Sequence, residues 1–425
     1  MSYDLEDKSR LWRIFGGLIV ILLYISPTAV GIQLPIATHT LVCVGLVCLL
    51  GIGLLAEYIT ITLRDIAICL CLIAPFACIG IVQFFAIHET AGIKSLVKIA
   101  LELGAALAVA KCFSWRLYTK ALRWAIPINI ALITVVILLG TISFDSTIRT
   151  AYDSGLFMDW KNFHFPIMWG SLMEEKVRIG GIFGHANSFG VVSAMGMLGL
   201  YMSKKKTSGV SQVVWWILFL ISFFLTESRA SLLNLLVFVV ANNVLQSWNS
   251  IKRVVKNIAI MAGVAGSLIG VAFMRFNENT GDITSGRAGI MDMVSHVITN
   301  GLPITQALGV GLGQGAIYLE QQYGFMIPVD NSYFSLWLEL GIIGAIIVVL
   351  TIGFLFGRYR TTTTFPKHTY WAFFLGLLAH SFFEADFMMN RISFGWILFL
   401  IYAAQETMAD RYYRNRESSK SLQHI

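Results

Sequence analysis

Apolar runs dominate this chain, and polar residues mostly mark the gaps between them. The runs fall at 14–34, 36–56, 67–87, 94–113, 121–143, 183–202, 212–226, 230–247, 254–275, 332–356, 369–385 and 390–406. A helix of roughly 20 residues crosses a hydrocarbon core of about 30 Å. The pattern therefore predicts an all-α polytopic protein of about 12 transmembrane helices, a single integral membrane domain over residues 1–425. Only Glu227, Ser228 and Arg229 separate the seventh run from the eighth. One helix through both would reach about 54 Å, too long for a bilayer, so a tight hairpin is expected there.

Composition agrees. Of 425 residues, 56% are hydrophobic and 13% charged, with a mean hydropathy of +0.72. A soluble domain carries roughly 25% charged residues, so a soluble multidomain enzyme and a disordered chain are excluded. The six cysteines, Cys43, Cys48, Cys69, Cys71, Cys78 and Cys112, lie in or beside apolar runs with no C-x-x-C spacing. They read as small buried hydrophobes rather than as a disulfide framework or a metal site. The basic start (Lys8, Arg10, Arg13) precedes an apolar run with no small-residue cleavage site after it, which reads as a retained first span.

Charge adds an orientation. With the N-terminus inside, the even-numbered connections and both tails are cytoplasmic and hold 21 of the 31 lysines and arginines, as the positive-inside rule requires. Both termini are then cytoplasmic, in a multi-pass protein of the cell (inner) membrane. The net charge of +7 is spread over short loops and gives no nucleic-acid footprint. Ten basic residues run against the bias, on the outer side: Lys94, Lys98, Arg149, Lys161, Lys176, Arg178, Arg229, Arg275, Arg287 and Arg391. Lys98 and Glu102, four apart on one helical face, suit an ion pair. The outward arginines suit the phosphates of a lipid-linked pyrophosphate, because a guanidinium fork matches phosphate oxygens. Snorkelling to lipid headgroups is the plainer alternative.

Two outer connections are long, at about 144–182 and 276–331. Within the second, Ile290, Met291, Val294, Val297 and Ile298 form one helical stripe, expected to lie on the outer surface. A transporter would line a midplane cavity with charge; here most of the unusual charges gather at the outer edge.

Four segments carry a resemblance. They are Val177–Gly190 (VRIGGIFGHANSFG), Thr226–Leu233 (TESRASLL), Ser285-Gly286-Arg287 with the glycine run Gly309–Gly313, and Asp330–Tyr333 with Glu339–Gly344 (ELGIIG). In order and spacing they resemble the O-antigen ligase and polysaccharide polymerase family of bacterial envelope glycosyltransferases. The resemblance implies a metal-independent, cofactor-free enzyme at the outer face that uses an undecaprenyl-pyrophosphate-linked glycan. Arg229 and Arg287 would hold the donor pyrophosphate, with Arg178, His185, Asn187 and Asn331 as further substrate-binding residues. The loop over 276–331 would cover the site. Partners would be the lipid-linked donor and acceptor, membrane lipid, a chain-length regulator and a flippase. Ligases of the family carry a histidine where this chain has Asp330. That departure favours a polymerase over a ligase to lipid A core or to protein. Asp330 is the candidate general base, and it is equally placed to cap the tenth span.

Other features stay open. His185 and Asn187 suit donor contact, or buried hydrogen bonding at the top of the sixth span. The glycine run, through Gly315, lacks the βαβ setting of a dinucleotide site; it suits loop closure, with backbone N–H groups near a phosphate as the functional reading. His164, His296 and His368 lack metal-ligand spacing. His380, Glu384, Asp386 and Arg391 form an outer polar group, read as functional or as a structural pair such as Asp386 with Arg391.

Overall fold

The computed structural model describes residues 10–26, 28–30, 38–87, 92–144, 156–169, 177–202, 209–247, 287–324, 329, 331–359, 365–384, 386–388 and 393–404. Within them run helices α1 (Arg10–Leu22), α2 (Thr38–Leu55), α3 (Leu63–Ile87), α4 (Gly92–Cys112), α5 (Trp115–Leu139), α6 (Ala186–Met202), α7 (Gly209–Thr226) and α8 (Arg229–Ser247). They continue as α9 (Arg287–Asn300), α10 (Pro303–Leu308), α11 (Gly315–Tyr323), α12 (Ser332–Arg358), α13 (Lys367–His380) and α14 (Phe394–Ala404). Five stretches are long and apolar enough to cross a membrane: Leu63–Ala86, Trp115–Leu139, Gly209–Thr226, Arg229–Gln246 and Ser332–Arg358. Large apolar side chains such as Leu70, Ile81, Phe224, Leu350 and Phe354 face outward from them. Water would not tolerate so much contiguous apolar surface, whereas lipid would. The chain is a predominantly helical membrane protein.

Most apolar runs return as helices, and the seventh and eighth are separate, broken at Glu227 with φ 47°. The ninth run, 254–275, lies outside the described residues. Two runs are shorter as helices than their apolarity suggests. The first, 14–34, stops being helical at Leu22 and turns into a 3-10 segment at Thr28–Val30. The sequence reason is Ser26-Pro27, because the residue before proline is pushed out of the α region. The eleventh, 369–385, ends at His380, where Ser381 Oγ donates to Asp386 Oδ2 at 3.0 Å.

One connection, between α5 and α6, carries a small sheet within the otherwise helical architecture. Thr141–Phe144 (β1), Leu156–Trp160 (β2), Phe163–Trp169 (β3) and Val177–Ile179 (β4) form an antiparallel meander in the order β1-β2-β3-β4. The signal was alternation rather than a run. Met158 and Phe165 are directly opposed and buried inward, while Asp159 and His164 pair on the other face. A two-residue loop, with Lys161 at φ 53°, joins β2 to β3.

The core is centred on α14. Every residue from Phe394 to Ala404 is buried, and Phe399 stacks on Phe373 at 3.9 Å while Trp115 meets it edge-on at 5.4 Å. A helix buried all round must be apolar all round, and FGWILFLIYAA is.

Candidate functional site

The first segment is held as a rigid turn. Asn129, fully buried within α5, donates from Nδ2 to the Gly180 carbonyl at 3.1 Å and accepts from Ile182 N–H at 2.9 Å. Gly181 has φ 60°, and a Cβ there would lie 2.2 Å from Asn129 Oδ1, so only glycine fits. Ser26 N–H bonds the Ile182 carbonyl at 2.8 Å, which sets the α1–α2 turn against the same segment. Replacing Asn129 by alanine strands the buried Ile182 N–H and leaves the Gly180 carbonyl only its longer bond from Phe183 N–H at 3.3 Å. A loss of about 3 kcal/mol in unfolding free energy is expected, read as a lower midpoint in detergent melts.

This turn meets the second segment. Arg178 Nε donates to the Thr226 carbonyl at 2.6 Å, and its terminal nitrogen donates to Asn187 Oδ1. Gly190 lies against Ser228 and Ser231, where a Cβ would come within 2.4 Å of Ser228 Cβ. His185 Nδ1 accepts from Asn187 N–H at 3.2 Å, so the ring's proton sits on Nε2. Arg178, His185 and Asn187 therefore stand together, with Arg178 as a strut to the turn that carries Arg229. Arg229 is half-buried at the first position of α8.

The fourth segment arrives through α13. Gly376 abuts Asn234 and Phe238, and Thr369 Oγ1 donates to Asn242 Oδ1 at 2.8 Å. These contacts make α8 and α13 antiparallel, and the same register brings Arg229 level with Ser381. The Ser381 carbonyl accepts from Ser332 N–H at 2.9 Å. Asn331 caps α12, accepting from Tyr333 and Phe334 N–H at 3.0 Å each and donating to the Phe382 carbonyl at 2.8 Å. Asn331, rather than Asp330, is thus the cap of this helix. Asp330 lies outside the described residues, and so do Arg391 and the side chain of Arg287, whose backbone opens α9.

Within the polar group His380, Glu384 and Asp386, the described pair is Asp386 with His380, while Arg391 lies outside the described residues. Asp386 Oδ2 accepts from His380 Nδ1 at 2.7 Å and from Ser381 Oγ at 3.0 Å, all three residues being buried. Ser332 Oγ donates to the Glu384 carbonyl at 2.6 Å and accepts from Phe387 N–H at 3.2 Å. The 381–388 turn is woven around the start of α12.

The third segment joins the fourth farther along α12, about 10 Å from its start. Val310 N–H bonds the Leu338 carbonyl, Gly311 N–H the Glu339 carbonyl, and Leu312 N–H the Gln83 side chain. Gly313 N–H bonds Glu339 Oε2 at 2.6 Å. These amides are engaged by the protein's own oxygens, which corrects the idea that they wait for a phosphate. The α9 stripe is likewise buried against protein: Val294 and Ile298 pack with Leu319 and Leu338. Lys98 is exposed, and Glu102 pairs with His39 instead.

Sequence reading missed Asn129, Gln83 and His39. The available signal was a lone polar residue inside or at the start of an apolar run, which is costly in lipid unless it bonds something specific. Among the described residues, no group of three or more histidine, cysteine or acidic side chains could hold a metal ion. No protein-family model matches the chain, and no curated protein matches it.

Proposed function

We propose that this protein is an outer-face glycosyltransferase that polymerises undecaprenyl-pyrophosphate-linked repeat units into a surface polysaccharide. The reading includes 12 spans with both ends cytoplasmic, in the cell membrane. The observation that supports it most is the convergence of three of the four family-like segments. Arg178 ties the first segment to the second, and the α8–α13 register brings Arg229 level with the turn whose Phe382 carbonyl accepts from Asn331.

In this reading Arg229 and Arg287 bind the donor pyrophosphate. Their fixed positive charge stabilises the charge that builds on the leaving group as its bond to the sugar C1 breaks. The acceptor hydroxyl oxygen forms the new bond at C1 and passes its proton to Asp330. The lipid pyrophosphate departs intact. Arg178, His185, Asn187 and Asn331 shape the donor side, and the loop from 276 to 331 covers it.

Deletion of the gene tests the acceptor. Loss of a polymerase leaves single repeat units at the surface. Long chains stranded on the lipid carrier would mark a ligase instead. A surface glycan unchanged in amount and length would contradict both.

A further inference from the structure

A buried imidazole and carboxylate lie apart from the residues above. His39, in the first turn of α2, is 7% exposed, and Glu102, midway along α4, is 1% exposed. His39 Nδ1 is 2.8 Å from the Leu23 carbonyl oxygen, and Nε2 is 2.8 Å from Glu102 Oε1. A carbonyl oxygen only accepts, so Nδ1 carries a proton. The second contact needs one more proton, on ring or carboxyl, because two bare acceptors would repel. The pair therefore shares one proton and is neutral overall. Glu102 Oε2 is buried with no hydrogen-bond partner among the described residues. A second proton or a lost one would leave a net charge where charge is costly.

The groups around the pair offer little to offset such a charge. Cys43 Sγ lies 3.6 Å from His39 Nε2, the Phe394 ring meets His39 edge-on, and Tyr24 and Tyr118 bond each other through their hydroxyls at 2.6 Å. Lys98, one turn before Glu102, is exposed, and Asp65 at the far end of α3 and α4 is occupied by Lys111.

The backbone that His39 holds leads to the candidate site. Leu23 closes α1, and its carbonyl would otherwise lack a helical partner in an apolar setting. Three residues on, Ser26 N–H bonds the Ile182 carbonyl, and Ser26 also packs against Gly184. We propose that His39 and Glu102 are a one-proton positioning pair, which fixes the α1–α2 turn and through it the Gly180–Asn187 turn. The inference stands on this geometry and does not require glycosyl transfer.

Hydrogen–deuterium exchange over residues 177–190 tests this, on the full chain in nanodiscs. In Glu102→Gln the carboxamide N–H donates to Nε2, so protection is expected to stay within about twofold of the unaltered protein. Glu102→Ala, which leaves Nε2 without a partner, is expected to lose protection about tenfold or more. Unchanged protection in Glu102→Ala, or a loss in Glu102→Gln as large as in Glu102→Ala, overturns the proposal. A ¹⁵N spectrum of the His39 ring adds a check that needs no variant, and an unprotonated Nδ1 at pH 6 would also overturn it. An inactive protein with the expected exchange profile would count against the proposed function alone.

Discussion

Arg229→Ala and Arg287→Ala are each expected to slow chain extension by about two to three orders of magnitude, the usual cost of removing one preorganised donor to developing charge. Arg229 sits at the turn that Arg178 grips through the Thr226 carbonyl, level with the cap of α12. The backbone that carries it is therefore held by the fold, and a charge held in place costs no reorganisation during reaction. Lysine keeps the charge but not the fork, so Arg229→Lys should recover only part of the rate. The turnover of lipid-linked repeat units measures all three variants. A detergent melt within a degree or two of the unaltered protein separates lost chemistry from lost folding. Full activity in both alanine variants would remove the pyrophosphate role from these residues.

Gly341→Ala is expected to cause severe local structural damage. Gly341 interrupts α12 with φ 66° and ψ 179°, and a Cβ there would lie 2.2 Å from the Ala307 carbonyl oxygen. The substitution combines backbone strain with a backbone clash, roughly 3 kcal/mol or more together. The Gly309–Gly313 segment should then lift off Leu338 and Glu339, giving up its hydrogen bonds to them and to Gln83. Faster protease cleavage between residues 302 and 324 and a lower unfolding midpoint would report it. Gly353 is the control on the same helix: nothing lies within 4 Å of its missing Cβ. Gly353→Ala should be neutral or stabilising by up to about 1 kcal/mol. Equal behaviour of the two variants would contradict the kink's role.

The helices were legible because apolar runs of spanning length have few alternatives in lipid. The break at Glu227 was legible from length alone, since no bilayer accommodates the fused helix. The sheet was not, because strands of five to seven residues with half-buried faces give a signal confined to Leu156–Ile167, which apolar counting passes over. The early stops of α1 and α13 were missed for a related reason. Hydropathy does not register the Ser26-Pro27 pair or the Asp386–His380 bond, yet each ends its helix. Among the site residues, sequence order grouped Arg178, His185 and Asn187 correctly. It left the packing of α8 on α13 unseen, because that packing runs through Gly376, which approaches Asn234 closely only in the folded chain. The glycine run misled in a definite way: its amides face Glu339 and Gln83, partners separated from it by 26 and 229 residues.

The most direct measurement supplies the purified protein, reconstituted in nanodiscs, with defined undecaprenyl-pyrophosphate-linked repeat units, a chelator of divalent metals and no ion gradient. Products are resolved by length. Ladders of two or more repeats, each still carrying one lipid pyrophosphate, with one lipid pyrophosphate released per bond formed, are the expected result. Unextended donor recovered intact, from protein whose melting profile is that of the folded chain, would contradict the assignment of polymerase activity.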